Sequence, residues 1–270
     1  MKILIGYDGS TDASAAIDDL VHAGLPREVD ALIVSVSDSP TVAVADIIMN
    51  ADTHLRSIFP SWNVRGVILT GDPAAELVKK AEQTHADLIV VGSQGLSAIS
   101  RLILGSVSLK VSAEARCSVR IGRHSARPIG HGQLRILIGL NCSASAETAI
   151  RKVLVRAWPE GTELRIVAVD DGVSTITTDS IIAANQLPGE YHSVVEGKFV
   201  KLAESRGLIV SAGIKKGEPE QVLIREAQEW EADCIVVGSR GKKTTSWGLF
   251  GKSVSAGLAA NAPCSVEIIR

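Results

Sequence analysis

Short apolar runs alternate along this chain with stretches whose apolar positions recur every three or four residues. Ile3-Leu-Ile5, Ala31-Leu-Ile-Val34, Val64 to Leu69, Leu88-Ile-Val-Val91 and Ser118 to Ile121 read as strands. Between them, Ala13, Ala16, Ile17, Leu20 and Val21 mark one helix face, and Val44, Ile47, Ile48, Ala51 and Leu55 mark a second. Asp72 followed by Pro73 predicts an N-cap and a first helical residue, with Ala74, Leu77, Val78 and Ala81 facing the core. Another helix is expected from about Ser106, through Val107, Val111 and Ala115. Apolar strands alternating strictly with helices predict a parallel sheet covered on both faces, doubly wound by right-handed crossovers. The fold class expected is α/β and Rossmann-like, with about five strands to a sheet.

The pattern is written twice. Lys2-Ile-Leu-Ile-Gly-Tyr-Asp8-Gly-Ser10 matches Arg135-Ile-Leu-Ile-Gly-Leu-Asn141-Cys-Ser143, and Gly71-Asp-Pro73 matches Gly217-Glu-Pro219. Arg116-Cys-Ser-Val119 nearly matches Pro263-Cys-Ser-Val266, and the first helix face returns at Ala146, Ala149, Ile150, Val153 and Leu154. Half two carries extra residues around Gly172 to Gly189, and one more between Gly241 and Ser253. Two copies suit paired domains and not a solenoid. The stretch Gly122 to Gln133 is polar, glycine-rich and holds one proline. The expected boundaries are therefore residues 1–123 for domain 1, 124–133 for a linker and 134–270 for domain 2. Each half is long enough to bury a core of its own.

The chemistry lies in two glycine-spaced turns. Gly92-Ser-Gln-Gly95 follows the fourth strand, and nine residues later comes Gly105-Ser106; Gly238-Ser-Arg-Gly241 leads in the same way to Gly251-Lys252-Ser253. Turns from a strand into a helix start present backbone N–H groups and the positive end of a helix dipole to an anion. Gly92 and Gly95 are expected to turn with positive φ and to let a ligand approach. Ser106 is expected either to cap its helix or to offer its hydroxyl to phosphate. A bland reading, tight strand-to-helix turns and nothing more, stands beside this one, but spacing, placement and repetition weigh against it. Asp8 ends the first strand, so the crevice at the carboxyl ends of the strands would hold both it and Gly92.

These residues resemble the universal stress proteins, and the resemblance spans both halves nearly end to end. Nucleotide-binding members of that family carry G-x-x-G, nine residues, then G-[S/T]; Gly92, Gly95, Gly105 and Ser106 match in full. The family's acidic residue falls on Asp8, and the residue whose backbone holds adenine falls on Val36, with Val107 next to the phosphate turn. The resemblance implies ATP, commonly with Mg²⁺ bridging its phosphates. It also implies that the last strands, Ser118 to Ile121 and Ser265 to Ile269, pair within the chain as a built-in dimer. A further homodimer of whole chains is compatible with this reading.

Half two departs from the pattern. The corresponding residues are Asn141, Val169, Gly238, Arg240, Gly241, Lys252 and Ser253. Asn141 removes a charge that would orient ribose or a phosphate-bound metal. Lys252 puts a side chain where Gly105 leaves backbone. Arg240, Lys242, Lys243 and Lys252 make this region basic, which suits either an altered phosphate site or ordinary solvated charges. Domain 1 is expected to hold the better ATP site and domain 2 a weaker or altered one.

Composition adds limits. The chain is 46% apolar with a net charge of −2, a soluble globular balance that gives a nucleic-acid role no support. No apolar run approaches the ~20 residues of a membrane span, and Met1-Lys-Ile-Leu-Ile-Gly is a strand pattern, so cytoplasm is the expected location. Cys117, Cys142, Cys234 and Cys264 are scattered and read as buried small hydrophobes; the six histidines show no metal spacing. No metal site from protein ligands alone is assigned. No catalytic residues are assigned either: there is no triad, Walker lysine or G-x-G-x-x-G, and His85 and His54 read as surface or capping residues. The expectation is an ATP-binding regulatory protein with at most slow hydrolysis; the alternative is a scaffold of the same fold that binds no nucleotide.

Overall fold

The structure is a computed structural model that describes residues 1–38, 42–95, 104–124, 133–140, 150–170, 201–239 and 253–270. Half one contains β1 (Lys2–Gly6), α1 (Thr11–Asp18), β2 (Asp30–Val36), α2 (Val42–Ile58), β3 (Asn63–Leu69), α3 (Pro73–Thr84), β4 (Leu88–Gly92), α4 (Ser106–Glu114) and β5 (Ser118–Gly122). Half two contains β6 (Arg135–Leu140), a helical stretch over 150–154, β7 (Glu163–Asp170), α5 (Lys201–Glu204), β8 (Ile209–Lys216), α6 (Pro219–Glu229), β9 (Cys234–Gly238), α7 (Val254–Asn261) and β10 (Ser265–Ile269).

All ten strands join one sheet in the order β3-β2-β1-β4-β5-β10-β9-β6-β7-β8. Within each half every neighbouring pair is parallel, which is the doubly wound pattern the sequence predicts. The halves meet where β5 and β10 pair antiparallel, with Val119 opposite Ile268, Arg120 opposite Glu267 and Ile121 opposite Val266. The last strands therefore pair within the chain, and each covers the edge the other would expose.

Side chains alternate between the faces of a strand, and the two faces of the join differ in kind. On one face Val119, Ile121, Val266 and Ile268 belong to a single apolar core. That core runs from Leu4 and Ile89 in half one to Leu137 and Ile235 in half two, under α3, α4, α6 and α7. On the other face the apolar side chains fall into two separate clusters, one per half. Between those clusters Arg120 and Glu267 stand fully buried.

Local chemistry sets the helix ends as predicted at α3. The Asp72 carboxylate accepts from the Ala75 N–H at 2.8 Å, Pro73 follows as the first helical residue, and His85 ends the helix in the left-handed conformation, exposed. The first helix is shorter than the spacing of its apolar face suggests. It ends at Asp18 and tightens into a 3₁₀ turn, Asp19–His22, which carries Asp19 into contact with Arg120.

Candidate functional site

The strand order reverses between β1 and β4, so their carboxyl ends border the crevice where such sheets hold ligands. Asp8 leaves β1 there, half-buried, with its Oδ1 accepting from the Ser10 N–H at 2.9 Å. Ser10 in turn caps α1 by accepting from the Ala13 N–H at 3.1 Å. Val36 closes β2, two residues past Val34, where β1–β2 pairing stops opposite Gly6.

Gly92 is the last residue of β4, and a Cβ there would lie 2.7 to 2.9 Å from backbone atoms of Asp12 and Ala13 at the start of α1. Gly95 is set against Asp8: a Cβ there would stand 2.7 Å from the Asp8 carboxylate oxygen Oδ2. The expectation of positive φ fails at both positions, which are absent from the glycines in that conformation. Close approach of a helix backbone requires glycine at Gly92, while at Gly95 a side chain would displace only the Asp8 carboxylate.

The turn is tied at both ends. The Gly105 N–H donates to Ser93 O at 2.8 Å, Ser108 Oγ donates to Gly92 O at 2.6 Å, and Ser93 Oγ donates to Asp12 Oδ1 at 2.6 Å. Ser106 does not cap α4, contrary to one of its two expected roles. Gly105 takes the N-cap position in extended backbone, Ser106 is the exposed first helical residue, and the cap makes no side-chain hydrogen bond. Val107 follows, half-buried against the apolar core. The structure thus brings Asp8, Gly92, Gly95, Gly105, Ser106 and Val107 to one end of one sheet, with Val36 at the same end.

In half two, Val169 lies one residue past the last β6 pairing and one before the end of β7, and Gly238 closes β9. Asn141, Arg240, Gly241 and Lys252 lie outside the described residues. Ser253 lies inside them and differs in role from Ser106: it is the N-cap of α7, which begins one residue later, and its Oγ engages Ser255 Oγ at 2.9 Å. Ser106 is an exposed residue, whereas Ser253 is half-buried with its hydroxyl engaged.

Both histidines lie elsewhere: His54 Nε2 pairs with Asp18 Oδ1 at 2.9 Å, at the opposite end of α1 from Asp8. Among the described residues no group of three or more His, Cys, Asp or Glu side chains could hold a metal ion. Cys117, Cys234 and Cys264 are free, and burial pushes the Cys234 thiol up to about 12. No helix among the described residues is long and apolar enough to cross a membrane.

A charged group at the join was missed by the sequence reading. The fully buried Arg120 guanidinium donates to Asp19 Oδ2 at 2.6 Å and Oδ1 at 3.1 Å, and to Glu267 Oε2 at 3.1 Å. Arg156 donates to the same Glu267 Oε2 at 2.9 Å and also reaches Oε1. Burial alone would raise the Asp19 and Glu267 carboxyls, but the adjacent guanidinium charges hold both below the usual carboxylate range. A signal was present in the sequence: one charge stands mid-strand in each last strand, Ser118-Val-Arg-Ile121 against Ser265-Val-Glu-Ile268.

Taken together, these features define a tandem pair of doubly wound α/β units, with an uncapped helix start and a carboxylate at the switch point of the first. The profile of the universal stress protein family matches residues 60–123 and 134–270, and the chain belongs to that family. It is 27% identical over 145 residues to the universal stress protein YxiE of Bacillus subtilis, covering 98% of that protein but 45% of this chain. It is 30% identical over 143 residues to a putative universal stress protein of Staphylococcus epidermidis, covering 86% of that protein and 47% of this chain. Each such relative therefore corresponds to about half of this chain. The crystal structure of a universal stress protein from Archaeoglobus fulgidus superposes on the whole length, with a TM-score of 0.71 at 21% identity, covering 100% of this chain and 98% of that one. That likeness carries the fold.

Proposed function

We propose that the chain is an ATP-binding regulatory protein of the cytoplasm whose nucleotide site lies in domain 1, residues 1–123, with little or no turnover. The observation that carries this reading is the convergence at the switch point. The Asp8 carboxylate packs on Gly95, beside a tied turn that ends in the uncapped start of α4. Phosphates would lie on the N–H groups of Gly105, Ser106 and Val107, where the helix dipole favours negative charge. Val36 would meet the adenine through its backbone, and Asp8 would face the ribose or a phosphate-bound Mg²⁺. The donor set suits such an ion only as a guest of the nucleotide: the turn has Asp8 and Asp12 beside it, Asp12 already accepts from Ser93 Oγ, and among the described residues no group of three or more His, Cys, Asp or Glu side chains could hold a metal ion. Mg²⁺ would supply charge neutralisation between phosphate oxygens.

Domain 2, residues 134–270, is the weaker or altered site in this reading. Ser253 has its hydroxyl engaged as an N-cap neighbour of Ser255, whereas Ser106 is an exposed residue.

The test is direct. Protein purified without added nucleotide is denatured and the released small molecules are analysed, and melting is followed with Mg-ATP. Saturation at 100 times Kd adds about 2.7 kcal/mol, a rise of several degrees for a domain of this size. Gly105→Lys, which gives domain 1 the residue of domain 2, should weaken that response at least tenfold in Kd. If no adenine nucleotide is released and Mg-ATP leaves the melting unchanged, the scaffold reading replaces this one. If Gly105→Lys binds as the parent does, the main site is elsewhere.

A further inference from the structure

The surface between the halves is built from two sets of contacts, and they obey different symmetries. The outer set is self-complementary. Arg123 and Arg270 hold equivalent places just past β5 and at the end of β10, and each reaches into the opposite half. The Arg123 N–H donates to Ser265 Oγ at 3.0 Å, and the Arg270 N–H donates to Ser118 Oγ at 3.2 Å. The Arg123 guanidinium donates to Cys264 O at 3.2 Å and to Ala259 O near the end of α7. The Arg270 guanidinium does the same to Cys117 O at 3.3 Å and to Ser112 O near the end of α4. The apolar face repeats the pattern, with Val119 against Ile268 and Ile121 against Val266. Each of these contacts would be met equally well if two copies of half one, or two of half two, faced each other.

The inner set would not. On the local two-fold axis the equivalent residues are Arg120 and Glu267, opposite each other in register and both fully buried. Behind them stand unlike supports: Asp19 in half one, bonded to Arg120, and Arg156 in half two, bonded to Glu267. Charge alternates along the row as minus, plus, minus, plus, and Arg156 also crosses the join to donate to Ala23 O at 3.0 Å. Pairing half one with itself would place Arg120 against Arg120, and pairing half two with itself would place Glu267 against Glu267. Like charges opposite one another across a strand pair are destabilising, and in a buried site each would keep the support of its own half but lose its opposite charge across the join.

We propose that Arg120 and Glu267, supported by Asp19 and Arg156, are a pairing code that restricts the half-to-half surface to unlike halves. Half one accepts half two and rejects a second half one, although the reciprocal Arg123 and Arg270 contacts and the apolar face would admit either. Register and partner choice through a buried polar pair is a recognised use of such groups, even where they add little net stability.

Full-length variants test this. The pair Asp19→Arg with Arg120→Glu reverses half one, so that both axis residues become acidic. The pair Arg156→Glu with Glu267→Arg reverses half two, so that both become basic. Each reproduces a like-with-like join inside one chain, and each should lose the parent's compact small-angle scattering profile and melt at least 10 °C lower. The chain carrying all four changes restores opposite charges with inverted polarity, and should recover the parent's profile and most of its melting temperature. It also shows whether the substituted positions tolerate the new side chains. If either two-residue reversal keeps the parent's profile and melting, or if the fourfold variant is no better than the reversals, the proposal is wrong.

Discussion

Replacing Arg120 with methionine should be among the most damaging single substitutions in this chain, and its effect should depend on pH in a defined direction. The guanidinium makes contacts of 2.6 and 3.1 Å to Asp19 and 3.1 Å to Glu267. Methionine fills much of the space but donates nothing. Glu267 keeps Arg156, whereas Asp19 is left buried with His22 Nδ1, at 3.9 Å, as its nearest basic group. Stranding one partner of a buried pair costs about 3–5 kcal/mol. With a urea dependence of roughly 1–3 kcal/mol per molar, the midpoint should fall by about 2 M. In the parent, Asp19 titrates below its unfolded value of about 3.9, so its contribution is fully present above that pH and is lost as pH falls through the lower folded value. Without Arg120, burial, the largest influence on Asp19, is opposed only by the weaker His22 and Ser265 contacts and should raise the folded value, so the ionised carboxylate destabilises the protein at neutral pH and ceases to do so when protonated. The gap between variant and parent should be widest at pH 7 and shrink between about pH 6 and pH 4. Adding Asp19→Asn to Arg120→Met should recover at least half of the loss at pH 7. Urea unfolding followed by circular dichroism at pH 7 and pH 5 measures all of this. A loss under about 1 kcal/mol at pH 7, or one equal at both pH values, would refute the argument.

Three further outcomes follow from the site and the core. Gly92→Ala puts a methyl group within 3 Å of the α1 backbone, which cannot yield as a side-chain tip does; it should lower stability by about 1–3 kcal/mol, read by thermal melting. Gly95→Ala meets only the Asp8 carboxylate, so melting of the free protein should stay within about 2 °C while calorimetry shows Mg-ATP affinity down about tenfold; unchanged affinity would separate Asp8 from the site. Cys234, with its thiol pushed up to about 12 by burial, should resist a thiolate-directed reagent at pH 8 in the folded protein and react once urea exposes it. Rapid labelling of Cys234 in native protein would contradict its placement in the core.

Local signals proved the most legible in the sequence. Asp72-Pro73 located the start of α3 because cap chemistry acts within four residues, and the apolar runs located inner strands such as β4 and β5 because these bury both faces. The Asp8 and Gly92–Gly105 turns came together because a doubly wound sheet has one switch point, and the order of the strands fixes it. What stayed hidden was set by distant parts of the chain. Spacing alone could not show that Gly92 is needed to receive α1, nor that the chain tightens after Asp18 to deliver Asp19 to a strand a hundred residues away. The one-residue shift that makes Ser253 an N-cap was invisible for the same reason, since matching Ser253 to Ser106 aligns residues but does not locate a helix start.

The join explains how the two halves could diverge without losing their common architecture. A chain that pairs with its own copy must satisfy every interface residue against itself, so a single buried charge on the axis is forbidden. A chain that holds both halves is free of that condition, and at the axis its residues are unlike, Arg120 against Glu267. The reciprocal Arg123 and Arg270 contacts and the shared apolar face remain self-complementary, whereas Arg156 to Ala23 O and Ala157 N–H to Gly24 O are not. The same release applies to the turns, because neither sits on the axis. Asp8 and Gly105 in one half, with Asn141 and Lys252 in the other, are differences that a symmetric dimer of identical chains cannot carry. Because both halves lie in one chain, one turn of each kind is present in every molecule whatever the pairing, and unlike pairing within the chain sets the two on one continuous sheet.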